Sequence, residues 1–277
     1  MRRQTNVIHY GIPSFRRVRQ CRELTAQLLL DYGVRPSRIT VFVSDRGELA
    51  DYVDAFSDTK ISVVPGKLGL GHQRKYMQTY YPKGTKLVQV DDDVSEFLTK
   101  RDDKVLAPLE GGIDRVAKHA FRASKRCGAA LWGINGCANA MFMKNTDTAG
   151  LRYCVGAMFG TVTPDPDIAR NVDLDSSGED FVNTIRSFLR HGCVYRLDWF
   201  TIKTKYFAPG GIDQLIQEQG GASKRRQRET RQRVHERALR RIAKQYPDVA
   251  RVVEKKKGVN LRLKVITLEK FDRPTDL

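Results

Sequence analysis

Apolar and polar positions over the first ninety residues follow a repeating strand–helix rhythm. Asn6-Val7-Ile8-His9-Tyr10 is a short apolar run closed by Gly11-Ile12-Pro13-Ser14, which predicts a buried strand and a turn. Ser14 is placed to N-cap a helix running to about Tyr32, with Leu24, Leu28 and Leu29 on its apolar face. The β-branched run Ile39–Val43 predicts a second strand, followed by a short helix from Glu48 to Ala55. Ile61–Val64 is a third strand, Gln73 to Tyr80 a helix, and Lys86–Val90 a fourth strand ending in Asp91-Asp92-Asp93. Alternation with such short connections predicts a right-handed, mainly parallel α/β sheet.

Beyond Asp93 the rhythm changes. Ile113 to Arg126 and Glu179 to Arg190 read as helices, and Ala129–Ile134, Ala140–Met143, Ala157–Thr163 and Val194–Phe200 as strands, an order that suggests antiparallel elements. After Gly220-Gly221, the residues Val234, Ala238, Ile242 and Tyr246 recur every fourth position among arginines, an amphipathic basic helix stopped by Pro247. The expected organisation is a core over 1–222, with halves 1–93 and 94–222, and a basic helical segment over 223–277.

Composition narrows the classes. With 40% hydrophobic and 29% charged residues in 277, a folded core is expected rather than a disordered chain. No run reaches the roughly 18 apolar residues of a membrane span, and the start carries no signal-peptide apolar stretch, so an intracellular protein without a membrane partner is expected. The five cysteines lie ten or more residues apart, which excludes a CxxC zinc or redox pair and predicts reduced thiols. The net charge of +17 favours a polyanionic partner. Lys224 to Lys264 alone holds 16 Lys/Arg against 4 Asp/Glu, so the excess is concentrated late in the chain.

The richest chemistry sits in Leu87-Val-Gln-Val-Asp-Asp-Asp-Val94. Three acids in sequence repel one another by roughly 1 kcal/mol or more per close pair at low dielectric, and a cation usually relieves that. On an extended chain alternate residues face the same way, so Asp91 and Asp93 are expected to converge while Asp92 points elsewhere. Hard carboxylate oxygens in this pattern suit Mg²⁺ or Mn²⁺ bridging a diphosphate. Solvated strand-end acids are an equally simple reading of the triplet alone, and nucleases and polymerases also place acids at strand ends.

The order of motifs from about Asn6 to Ile212 resembles the GT-A glycosyltransferases, whose D-x-D motif closes a strand of the nucleotide-binding half. Ile12-Pro-Ser-Phe-Arg-Arg17 is similar to the family's first-strand exit, and Val43-Ser-Asp45 to the second, whose acid approaches the base. Gly69-Leu-Gly-His-Gln-Arg-Lys75 resembles the helix start before the D-x-D strand, where a basic residue reaches the donor. Ser177-Gly-Glu-Asp180 resembles the opening of the helix that carries the base in inverting members.

The resemblance implies a GT-A (Rossmann-like) mixed sheet flanked by helices and a nucleotide-sugar-dependent enzyme. Asp91 and Asp93 would hold Mn²⁺ or Mg²⁺. Pro13, Ser14, Arg16, Asp45, Arg74, Lys75, Asp91 and Asp92 would surround a UDP-sugar, and Asp180, with Glu179 as competitor, would be the base of an inverting displacement. The late histidine that many members use as a metal ligand has no clear counterpart in His191 or His235. A compact core with a basic C-terminal segment further resembles the DNA glycosyltransferases associated with TET/JBP-type pyrimidine dioxygenases, among them the base J glucosyltransferase and phage relatives. That implies transfer, from UDP-glucose by preference, to a hydroxymethylated pyrimidine such as 5-hydroxymethylcytosine in DNA, in the cytoplasm of a bacterial host for a phage protein. A non-DNA glycan acceptor, a metal-dependent nuclease or nucleotidyltransferase, and a non-enzymatic DNA-binding protein stay open.

Overall fold

The computed structural model describes residues 7–168, 178–204, 211, 224–255, 258–275 and 277. Asn6, Ser177, Ile212 and Gly220-Gly221 lie outside the described residues. The strand runs read from the first ninety residues become β1 (Ile8–Ser14), β2 (Ile39–Val43), β3 (Ser62–Pro65) and β4 (Lys86–Val90). They lie side by side in the order β3-β2-β1-β4, all parallel. Their residues are apolar on both faces because helices cover both, as parallel sheets require. Those helices include α1 (18–31), whose centre is a π-helical stretch over Cys21–Ala26, then α2 (Leu49–Ala55) and α3 (Leu70–Tyr80).

The remaining strands extend this sheet in mixed orientation. β9 (Met158–Val162) runs antiparallel to β4, and β7 (Leu131–Ile134) antiparallel to β9. β10 (Val194–Leu197) follows parallel to β7, then β8 (Thr146–Leu151) antiparallel to β10. A three-stranded sheet of β5 (Val94–Lys100), β6 (Leu106–Pro108) and β11 (Phe200–Thr204) stands beside it. Helix α4 (Ile113–Arg126) packs on one face of the large sheet, and α5 (Glu179–His191) against β8 and β10. The protein is therefore a mixed α/β sheet flanked by helices. Among the described residues, no helix is long and apolar enough to cross a membrane.

Several local expectations are corrected. Ser14 is the last residue of β1 rather than an N-cap; Arg17 takes the cap position, without a side-chain cap, because the Ser14 hydroxyl is used across the sheet end. Ala140–Phe142 is a 3-10 turn, capped by the Asn139 side chain accepting from the Met141 N–H at 3.0 Å, which removes the backbone from pairing. Val194–Phe200 breaks at Asp198, which ends β10 and redirects the chain into β11.

The segment 223–277 is only partly helical. Helix α6 (Lys224–Gln245) leads into a hairpin of β12 (Ala250–Lys255) and β13 (Gly258–Leu263). β14 (Ile266–Asp272) then becomes the edge strand of the nine-stranded sheet beside β8. Alternate apolar residues Val249, Leu261 and Leu263 had no partner in sequence terms. They bury against Leu239 and Ile242 of α6, Leu151 of β8 and Ile185 of α5. The apolar stripe expected at Val234/Ala238/Ile242 is buried at Ala238 and Ile242 and widened by Leu239, which is fully buried. Replacing Leu239 by Ala removes a core side chain and is expected to cost about 2–5 kcal/mol, against under about half that for the half-buried Val234→Ala. Equilibrium urea unfolding of the two variants measures the difference.

Candidate active site

Because β1, β2 and β4 are parallel, their carboxyl ends open on one side, and the crevice outside such ends is where open α/β sheets bind ligands. The acid triplet lies there. The Asp91 N–H donates to the Ala157 carbonyl at 2.9 Å, and Thr25 clamps the turn, its hydroxyl donating to the Asp91 carbonyl at 2.7 Å while accepting from the Val94 N–H at 2.9 Å. The chain turns at Asp92-Asp93, yet Asp93 stays close enough to Asp91 to feel its charge, while Asp92 points inward to Ser14. Arg17 Nη1 bridges Asp92 Oδ1 at 3.2 Å and Asp93 Oδ2 at 3.3 Å, whereas Asp91 Oδ1 accepts from Arg74 Nη2 at 2.9 Å.

Asp92 is the inner member. Its Oδ2 accepts from the Ser14 hydroxyl at 2.6 Å, and that hydroxyl is 2.7 Å from the Tyr52 hydroxyl. Ser14 and Asp92, both expected to face a nucleotide, are buried in these mutual contacts. Asp91 keeps 32% of its side chain exposed and Asp93 13%. Burial raises all three carboxyls. Asp92 reaches about 6, with Arg17 and the Ser14 bond pulling the other way, and Asp93 about 7, pushed also by Asp91 and Asp92. Asp91 is raised less, because Arg74 and Arg17 oppose its burial.

Arg74 joins the triplet to a second pair of acids. It is fully buried on α3, with Nε 3.1 Å from Glu179 Oε1, Nη2 donating to the Gly156 carbonyl at 2.8 Å, and the guanidinium 5.0 Å over the Phe159 ring. Lys75, one step round the helix, is exposed and points away, as the 100° turn per residue dictates. Glu179 is buried and raised to about 7, first by burial and then by Asp180. Asp180 accepts from the Tyr153 hydroxyl, from the Gly156 N–H at 3.3 Å and from the Phe181 N–H at 2.9 Å, and its charge reaches Asp91. Gly156 is closely packed, since a Cβ there would lie 3.0 Å from Glu179 Oε1, which would have to give by a few tenths of an ångström.

The other expected residues rim this arrangement. Pro13, next to last in β1, pairs with Phe42. Arg16 adopts a left-handed backbone (φ 52°), uncommon for a side-chain-bearing residue, held by its N–H donating to Glu48 Oε2 at 2.7 Å. Asp45 caps the turn Arg46–Glu48 by accepting from the Gly47 N–H at 2.9 Å. His191 faces Asp167 at 3.9 Å, away from the triplet, while His235 on α6 is near enough to Asp180 to feel its charge. Trp132 and Trp199 are core residues.

Tyr153 and Arg152 are candidates from sequence to face the acceptor, and Tyr153 does meet Asp180. Thr25 and Tyr52 were not assigned to the site by sequence and carry no local signal, and Arg17 was legible only as the end of the Ile12–Arg17 motif.

Asp91 and Asp93 fit a divalent cation. They offer hard oxygens and retain exposure, and burial followed by the charge of Asp91 raises Asp93 to about 7. Among the described residues, no three His, Cys, Asp or Glu side chains converge into a metal-holding group, so water or a ligand would complete the shell.

No family model matches the chain, and no curated protein does. Among solved structures, it is similar to TarS 1–349 of S. aureus in complex with UDP-GlcNAc, at 12% identity and TM-score 0.46, covering 96% of this chain and 99% of that one. A mannosyltransferase of Pyrobaculum calidifontis in complex with GDP-Man and Mn²⁺ aligns at 9% identity and TM-score 0.49, covering 86% and 64%. Glucosyl-3-phosphoglycerate synthase of Mycobacterium tuberculosis, with Mn²⁺, UDP and glucosyl-3-phosphoglycerate, aligns at 9% identity and TM-score 0.42, covering 96% and 90%.

Raised carboxyls make the folded state bind more protons than the unfolded chain between their ordinary values and about 7. Stability from Glu179 and Asp93 is therefore full below about pH 4 and is lost as pH rises through 7. Thermal unfolding in EDTA is expected to show this loss, and Asp93→Asn to flatten it. Mn²⁺ at pH 7 is expected to raise the midpoint of the wild type but not of Asp91→Asn/Asp93→Asn; equal shifts in both would place the metal elsewhere.

Proposed function

We propose that the protein is a metal-dependent glycosyltransferase that moves a sugar, glucose by preference, from a UDP-sugar to a hydroxymethylated pyrimidine in DNA, with inversion. One observation carries the reading: Arg74 ties Asp91 to Glu179, which sets Asp180 beside the acid triplet. A group able to take a proton thus stands next to groups able to hold a diphosphate's counter-cation.

The acceptor oxygen attacks the anomeric carbon while the bond from that carbon to the diphosphate oxygen breaks, and the hydroxyl proton passes to Asp180. A bound Mg²⁺ or Mn²⁺ would supply Lewis-acid neutralisation of the departing diphosphate. Tyr153, with the N–H groups of Gly156 and Phe181, fixes the Asp180 carboxylate for that transfer. Glu179 serves as the counter-ion of Arg74. Ser14, Tyr52 and Arg17 hold Asp92, and through it the turn that presents Asp91 and Asp93.

The basic helix supports DNA as the acceptor. Ile242 and Leu239 pack at Gly178, the residue that starts α5, where a Cβ would lie 3.1 Å and 3.6 Å from them. Arg233, Arg237, Arg240 and Arg241 are exposed on the same helix, Arg240 donating to Glu254 Oε1 at 2.8 Å. Phosphate neutralisation by such a row gives sequence-independent affinity, and a pyrimidine turned out of the stack would bring its hydroxyl to Asp180.

The decisive assay incubates the protein with Mn²⁺, a panel of UDP-sugars and DNA carrying 5-hydroxymethylcytosine or 5-hydroxymethyluracil, and reads nucleoside mass. A sugar-sized gain is expected, with Asp180→Asn slower by about 10²–10⁴ and Glu179→Gln less affected. No gain with any donor, or an undiminished gain in Asp93→Ala, would remove the reading.

A further inference from the structure

Helix α4 carries Arg115, Lys118, Arg122, Lys125 and Arg126, all exposed, against one acid, Asp114. Asp114 is already engaged, accepting from the Tyr10 hydroxyl at 2.9 Å and from Arg38 Nη2 at 2.7 Å. Spacings of three and four residues put Arg115, Lys118, Arg122 and Lys125 in one stripe, about 15 Å long at 1.5 Å per residue. Two adjoining hollows, of about 500 and 600 Å³, run along that stripe and share His119 and Arg122. Lys86 from the start of β4 lines the first together with Arg115 and Lys118, and no acidic side chain lines either.

The stripe lies where the parallel strands begin. Asp114 ties the first turn of α4 to Arg38, which precedes β2 and donates to the Ile8 carbonyl at the start of β1 at 3.4 Å. The last turn leads to Cys127, whose carbonyl accepts from the thiol of Cys193, just before β10. The acid triplet follows the other end of β4, five residues or roughly 16 Å from Lys86 at strand spacing.

We propose that the cationic face of α4, with Lys86, is a second binding surface for the phosphate backbone of a nucleic acid, at the end of the sheet opposite the acid cluster. A chain of phosphates fits the geometry because the cations line a trough that can receive a backbone strand along its length. A bilayer is a flat partner that also takes up apolar side chains, and only Pro274 and Leu277 line the trough among apolar residues. The Lys86 ammonium is held below its ordinary range by burial and then by Lys125 and Arg122, which marks a cluster of like charge that an anion would relieve. The surface needs neither the sugar transfer nor the metal proposed above. It gives the protein a hold on polymer outside the reacting nucleotide.

The test measures binding of the intact chain to a short, unmodified duplex, without donor or divalent cation, across a salt series. Lys118→Gln/Arg122→Gln/Lys125→Gln is expected to lower the slope of log K against log salt by about 2.7, about 0.9 per lost phosphate contact, with at least about a tenfold loss of affinity at low salt. An unchanged melting temperature shows that the exposed substitutions leave the fold intact. Arg233→Gln/Arg237→Gln/Arg240→Gln, on α6, is expected to lower the slope separately and additively. A wild-type slope in the α4 variant overturns the proposal. So does loss of binding to phosphatidylglycerol vesicles with DNA binding retained, which would make the partner a membrane. Absence of sugar transfer would leave this result standing, and a wild-type slope would leave the transfer reading standing.

Discussion

A guanidinium without access to water holds the two halves of the molecule in register. Arg74 meets Asp91 and Gln89 from the end of β4, the Gly156 carbonyl from the β8–β9 connection, Glu179 from the first turn of α5, and the face of Phe159 from β9. A buried charge is tolerated only when partners replace its lost hydration, and removing one member of such a pair typically costs 3–5 kcal/mol. Every partner must therefore be in place together. That condition ties α5 to the parallel strands, and it packs Gly156 closely between Arg74 and Glu179, where a Cβ would lie 3.4 Å and 3.0 Å from them. Asp180 has its position as a consequence, being the neighbour of a residue that cannot move.

The same reasoning explains why the acids stay crowded. Five carboxyl groups, Asp91, Asp92, Asp93, Glu179 and Asp180, share two arginines, Arg17 and Arg74. Arg17 is spent on the turn itself, bridging Asp92 and Asp93, and Arg74 on the contact between halves. Neither is left to answer a newly arriving anion. Burial first, and the neighbouring acids after it, raise these carboxyls to about 6 for Asp92 and about 7 for Asp93 and Glu179. A structure built only for stability would have replaced some of these acids with neutral partners, because a crowded buried carboxylate is a standing cost.

Much of this was legible in the chain because it was local. Apolar runs with period two or with no break gave β1 to β4, and the 3.6-residue period gave α4, α5 and α6. The acids at the end of β4 stood out because like charges in sequence are unusual after a hydrophobic strand. What was hidden depends on meetings between distant residues. Ser14 looks like an N-cap until Asp92, 78 residues away, takes its hydroxyl. Alternation along a strand brings Asp91 and Asp93 together but says nothing of Arg17, which bridges Asp92 and Asp93 across a turn held by Thr25 of α1. The short strands β8, β12, β13 and β14 have little periodicity of their own; their pairing partners and the apolar face of α6 define them, and these become neighbours only on folding.

Charge was misread for a related reason. Counting by segment placed most of the excess in the late basic stretch, which left the rest of the chain looking nearly balanced. Balance along a sequence is not balance on a surface. Several acids among the described residues are drawn inward, to Arg74, Arg17 and Arg38, and the buried Asp147 receives His119, Tyr195 and Trp199. Cations of α4 face out because a helix lying on a sheet can bury only one side, and its inner side is taken by Val116, Ala117, Ala120 and Phe121. Folding thus gathers five acids outside the carboxyl ends of the parallel strands and sets cations along the outer faces of α4 and α6. A field of that shape draws a polyanion to the molecule over the Debye length, about 10 Å at 0.1 M salt, while the acid cluster repels phosphate unless a cation lies between them.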